Sequence, residues 1–195
     1  MTVVPNIIAA ESQPLLPAEA TFDEAAEIEL TIPQQDVDNW CWAAVTAGLE
    51  AFFGIEPARR QCEIVTEVLG TGPCCPEGAD IARCNVPHAP QAALGELFAG
   101  RVNAPAGISL AFLRQEIVDR ELPVLANLGF DDARVGHLVV ISGFRRTGNN
   151  TTVFVWDPYT GHRSEEPLRH FRQGRDRGKW RASYRLKRPV PLDPQ

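Results

Sequence analysis

The sequence has no apolar run approaching the roughly 18–20 residues that a membrane-crossing helix needs, so no membrane span is expected. A basic excess is also missing. The chain carries 25 acidic against 19 basic residues, and its formal charge of −6 at pH 7 excludes the electrostatic footprint of a nucleic-acid binder. The densest basic cluster, Arg169, Arg172, Arg175, Arg177, Lys179 and Arg181, is interrupted by Asp176 and by apolar residues, and reads as a solvated face. The segment Met1 to Ala10 holds no Lys or Arg and is followed at once by Glu11, which does not match the basic-then-apolar pattern of a secretory signal. A cytoplasmic location is therefore the default expectation, with export by a leaderless route left open. Gly and Pro follow no period and no internal repeat is present, which excludes fibres and solenoids.

What is present is ordinary globular usage, with 44% hydrophobic residues in 195, enough for one domain with a core of its own. Pro5, Pro14 and Pro17 make residues 1–32 a flexible leader, with room for one short helix from Phe22 to Ile28. The domain is expected over 33–187, with 188–195 as a tail. Asn39 to Phe53 is apolar on every side and reads as a buried helix, with Asp36, Asp38 and Asn39 as possible N-caps. Further helices are expected over Ala58–Leu69, Gln91–Phe98 and Ser109–Arg120, and a Cys-, Pro- and Gly-rich loop over Thr71–Pro90. The second half changes character. Strands are expected at Pro123–Leu128, His137–Ser142, Thr151–Trp156 and Trp180–Leu186, with Gly148-Asn149-Asn150 as a turn. Helices followed by an antiparallel meander predict an α+β fold with a seam between the halves.

Four residues could share chemistry at that seam. Cys41 opens the buried helix between two tryptophans, where unpaired N–H groups and the helix dipole favour a thiolate, the nucleophilic form of cysteine. Gln35, six positions upstream, could fold back and pair its amide with the Cys41 backbone N–H to bind an oxyanion. His137 follows Gly136 at the start of the strongest strand and could serve as base for Cys41. Asp157 ends the next strand before Pro158, and a hairpin between the two strands would bring it beside His137. There it is expected to hold the ring by Nδ1 and leave Nε2 for the thiol.

The order Gln, Cys, Gly-His, Asp resembles that of the papain-like cysteine peptidases. Gln34-Gln35-Asp36-Val37-Asp38-Asn39-Trp40-Cys41-Trp42-Ala43-Ala44, Gln61-Cys62-Glu63-Ile64-Val65, Cys74-Cys75-Pro76, Cys84-Asn85, Gly136-His137-Leu138-Val139-Val140-Ile141 and Trp156-Asp157-Pro158 look most like the bacterial, staphopain-like effector-protease branch. The likeness spans Ile32 to Tyr184. It implies a papain-like fold, a helical half packed on a C-terminal antiparallel sheet, and a protein or peptide substrate. It also implies Cys41 as nucleophile, His137 as acid and base, Asp157 as orienter, Gln35 in the oxyanion hole, and no cofactor or metal. Two other readings share these residues: a transglutaminase-like acyltransferase, whose nucleophile segment need not carry the upstream Gln, and a catalytically silent papain-like binding or immunity module. The remaining cysteines, Cys62, Cys74, Cys75 and Cys84, leave disulfides or buried free thiols open, either of which would clamp the loop after the second helix. Their spacing, with His88 alone nearby, suits structural zinc poorly.

Overall fold

A stretch that is apolar all round must be covered on every side. In the computed structural model, which describes residues 23–75, 80–129, 136–174 and 178–190, Cys41–Phe52 forms such a helix, α1, in which Trp42, Ala43, Ala44, Val45 and Leu49 are fully buried. Helix α2 (Gln61–Leu69) packs against it with Cys62, Ile64 and Val65 turned inward. Two short helices, α3 (Ile81–Cys84) and α4 (Gln91–Leu94), complete this half.

The sheet comprises β1 (Glu24–Glu27), β2 (Phe98–Asn103), β3 (Val124–Gly129), β4 (Gly136–Thr147), β5 (Asn150–Asp157), β6 (His162–Pro167) and β7 (Lys179–Leu186). Its order is β2-β7-β3-β4-β5-β6 and every pairing is antiparallel. The long β4 serves two partners along one edge. Its first half pairs with β3, from Gly129 opposite Gly136 to Val124 opposite Ile141, and its second half pairs with β1, from Glu27 opposite Gly143 to Glu24 opposite Arg146.

Alternation along the strands divides the core in two. Leu125, Leu138, Val140, Tyr184 and Leu186 face α1 and α2. Val124, Ala126, Val139, Ile141, Val153 and Val155 face the other way, against Phe112, Leu113, Ile117, Leu168 and Phe171. Those come from α5 (Leu110–Arg114), the π-helical turn Gln115–Asp119 that continues it, and α6 (Leu168–Gln173). Because the central strands are covered on both faces, they read in sequence as continuous apolar runs rather than as alternations. Each fully buried Leu, Ile or Phe contributes about 1.5–3 kcal/mol, so the core dominates stability. The fold is α+β, helices packed on an antiparallel sheet, as expected.

Several local expectations are corrected. Residues 24–27 form a strand within the expected flexible leader, where the only element allowed for was a short helix over Phe22–Ile28, because β4 offers them a free row of backbone partners. Leu30 and Ile32, expected in the leader, lie in the core, so the body of the fold begins before residue 33. Residues 1–22 of the leader, and 191–195 of the expected tail, lie outside the described residues. The helix expected over Gln91–Phe98 stops at Leu94, passes through a 3₁₀ turn (Gly95–Leu97), and gives way to β2. Strand β6 and helix α6 were not expected at all. The first is an edge strand of mostly polar residues, and the second buries only Leu168 and Phe171 within the basic cluster.

Candidate active site

Helix α1 begins at Cys41 with Trp40 in the N-cap position, and no side chain caps its end. Asp36, Asp38 and Asn39 therefore do not play the expected capping role. The Asn39 amide instead donates to Asn85 Oδ1 (3.0 Å) and to the Asn85 carbonyl (3.2 Å). Trp40 Nε1 donates to the Cys84 carbonyl (2.8 Å) and Trp42 Nε1 to that of Val86 (3.2 Å). The residues flanking Cys41 thus moor the helix start to the 84–86 segment, while its end stays free of a side-chain cap. An uncapped helix N-terminus presents N–H groups and partial positive charge to an anion.

On the sheet side, β4 starts in close contact with β3. A Cβ on Gly136 would lie 2.7 Å from the Leu128 carbonyl oxygen, so a larger residue would displace the strand start that carries His137. His137 Nε2 is 2.6 Å from Asp157 Oδ1, and the Tyr159 N–H donates to the same oxygen at 3.0 Å. Cys41 lies close enough to His137 to raise the imidazole's pKa. Cys41, His137 and Asp157 therefore stand together at the seam between α1 and the sheet, with His137 and Asp157 directly bonded.

The imidazole is turned the opposite way from expectation. Nε2 meets Asp157, which leaves Nδ1 as the ring nitrogen for Cys41. Strand adjacency brings the two residues together, but which edge of the ring meets the carboxylate depends on the histidine rotamer, which packing sets.

The His137 side chain is 18% exposed and that of Asp157 only 3%. Burial is the largest single influence on the imidazole and lowers its pKa. The hydrogen bonds from Asp157 and Cys41, with the charges of both, together outweigh it and raise the value from 6.5 to about 9. A pKa raised by folding stabilises the protein at low pH. This contribution is fully present below about pH 6.5 and is lost as pH rises through about 9.

Gln35 is held beside this series through its backbone. Its N–H donates to the Pro158 carbonyl (2.7 Å), next to Asp157. Gln34 Nε2 donates to the Tyr159 carbonyl (3.2 Å), and at Gly161 (φ +69°) an added Cβ would sit 2.8 Å from that of Gln34. The Gln35 side chain curls into its own loop, where Nε2 donates to the carbonyls of Val37 (3.1 Å) and Asp38. Its Oε1 is buried with no hydrogen-bond partner among the described residues.

The other four cysteines form two disulfides, Cys62–Cys75 and Cys74–Cys84, and Cys41 is the free thiol. Of the alternatives left open by the sequence, neither buried free thiols nor zinc describes them. The sequence reading assigned no role to Gln61, Asn85 or Tyr159, which bond to the loop before Cys41 or to Asp157. Gln61 and Asn85 do stand beside cysteines in the quoted motifs, but an amide's partners cannot be read from its neighbours in sequence.

Comparison with known proteins bears on the same residues. No curated protein matches the chain. The family model described as Peptidase_C39 like family matches residues 27–187, a span that starts at the end of β1, closes just after β7, and contains Gln35, Cys41, His137 and Asp157. With a free thiol, an imidazole and a carboxylate in series inside that span, the chain belongs to the Peptidase_C39-like family, a family of the cysteine-peptidase type.

Proposed function

We propose that the chain hydrolyses peptide bonds by a papain-like mechanism, a reading carried by the free thiol of Cys41 beside a His137 imidazole bonded to Asp157. In this reading, Cys41 Sγ attacks the scissile carbonyl carbon as the thiolate of a thiolate–imidazolium pair. His137 then delivers its proton to the leaving amine, and the C–N bond breaks to give an acyl-enzyme. Water attacks the thioester, His137 takes up its proton, and the product acid departs as the thiolate re-forms. Asp157, on Nε2, holds the ring and stabilises its charge throughout.

The developing oxyanion would lie at the uncapped start of α1, within reach of the Cys41 N–H and the Gln35 amide. Gln35 Nε2 now donates to two neutral carbonyls. A charge-assisted bond is roughly twice as strong as a neutral one, so the oxyanion can draw one of these N–H groups away from the loop. Substrates are proteins or peptides, as the family implies. Among the described residues no helix is long and apolar enough to cross a membrane. Two disulfides support action in an oxidising setting rather than the reducing cytosol expected from the sequence. That setting, with the motif likeness to staphopain-like proteases, favours a bacterial effector-type peptidase.

Peptide fragments produced in the presence of excess primary amine test the reading. Mass spectrometry should find free carboxylates at the new C-termini. Predominant amide conjugates would make the chain an acyltransferase, and neither product with any peptide would make it a silent module.

A further inference from the structure

Helix α2 opens with a buried glutamine, Gln61, that the mechanism above does not use; it is 6% exposed. Its side-chain amide lies between the two peptide groups that flank Gln35. Nε2 donates to the Gln34 carbonyl at 2.7 Å, and Oε1 accepts from the Asp36 N–H at 3.0 Å. One side chain thus supplies the donor and acceptor that a neighbouring strand would offer. Both bonds need a primary amide of this length.

The clamp lies where the loop borders open space. Asp36, Val37 and Trp40 border a cavity of about 680 Å³ whose wall also includes Gln61, Ala47 and Ile81. The opposite flank of the loop rests on the turn after Asp157, through the Gln35 N–H on Pro158 and Gln34 Nε2 on Tyr159. Gln61 is therefore the counterpart that presses the Gln34–Asp36 backbone against that turn. The adjoining residue, Cys62, is fixed by its disulfide to Cys75, which anchors the start of α2.

We propose that Gln61 is a positioning residue for the oxyanion hole: it holds the backbone on both sides of Gln35 so that the Gln35 amide and the Cys41 N–H converge on one oxyanion. The proposal rests on the peptidase reading. It predicts a defect confined to the transition state, since the hydrogen bonds of the Gln61 side chain go to the backbone around Gln35.

The test uses two probes on the full chain. A peptide aldehyde forms a hemithioacetal with Cys41 and so reports the oxyanion hole, whereas iodoacetamide reports only the thiol. Misplacement by about 1 Å can cost about 10²-fold, so Gln61→Met and Gln61→Glu should each weaken aldehyde inhibition and turnover by about that factor. KM and the rate of Cys41 alkylation should change little. The variant Gln61→Glu keeps the shape of the side chain and the acceptor for Asp36 while removing the donor to Gln34, and it decides the matter where Gln61→Met does not fold. Combining Gln35→Ala with Gln61→Glu should add nothing to the loss in Gln35→Ala alone, because the two act through one group. A merely structural Gln61 would lower thermal stability with aldehyde affinity at the wild-type level, or would multiply with Gln35→Ala; either result overturns the proposal. A wild type that hydrolyses no peptide and binds no aldehyde would instead overturn the peptidase reading, and the proposal with it.

Discussion

Cys41→Ala should abolish peptide hydrolysis, lowering turnover by about 10⁶-fold, the scale seen when a nucleophile is removed from a catalytic unit whose members act together. Cys41 is the free thiol of the chain, the other four cysteines being bridged, so no other thiol is available to accept the acyl group. The substitution should leave the fold intact. Alanine suits a helix, and although Cys41 is buried it stands at the first residue of α1, where only one sulfur atom is lost. It also removes one of the influences that raise the His137 pKa, so the imidazole should titrate below its wild-type value of about 9. Steady-state kinetics on a peptide that the wild type cleaves, with a thermal melt as control for folding, checks this result. Retention of even a hundredth of the activity would be far above the 10⁶-fold loss and would place the nucleophile elsewhere.

The second large effect concerns stability. Replacing Cys74 and Cys84 with alanine opens a loop with a sequence separation of 10. In the chain-entropy account, losing a cross-link of that size costs about 3 kcal/mol. For a domain of this length that corresponds to a melting temperature lower by about 6–12 °C. The core should keep the variant folded at room temperature. The disulfide also fixes Cys84, whose carbonyl accepts from Trp40 Nε1, and the adjoining Asn85 and Val86, which hold Asn39 and Trp42. Turnover should therefore fall along with stability, because the segment that moors the start of α1 loosens. Thermal unfolding with and without reductant, followed for wild type and the double variant, measures the effect. An unchanged melting temperature in both comparisons would show that the bridge constrains nothing.

That Cys41, His137 and Asp157 would stand near one another was legible because each stands at a boundary that sequence marks clearly. Cys41 begins an all-apolar run, Gly136-His137 begins a continuous apolar strand, and Asp157-Pro158 ends another. Such runs mark buried elements whatever their neighbours are. Their junctions then fall at the seam. The ring orientation of His137 was not legible, since Nδ1 and Nε2 differ only in rotamer and not in sequence. Nor was the disulfide pairing, because four cysteines allow three connectivities and only their placement in the fold chooses among them. Strands β1 and β6 escaped for a common reason. Each is short and carries exposed polar or charged side chains, so the backbone pairing offered by β4 or β5 decides the conformation, not any apolar pattern. Capping preferences were likewise not decisive at α1, where no side chain caps the helix and the Asn39 amide bonds Asn85 instead.

The linked state of Cys41, His137 and Asp157 is tested most directly by the pH dependence of kcat/KM for peptide hydrolysis in wild type and Asp157→Ala. Activity should fall on the alkaline side as His137 loses the proton that the leaving amine requires, with an inflection near pH 9 in the wild type. Removing Asp157 takes away a hydrogen bond and a charge that both raise the imidazole pKa, so that limb should move to lower pH and the maximum rate should drop. An alkaline limb that stays in place when Asp157 is removed would contradict the account, because the carboxylate would then neither hold nor charge the histidine that serves Cys41.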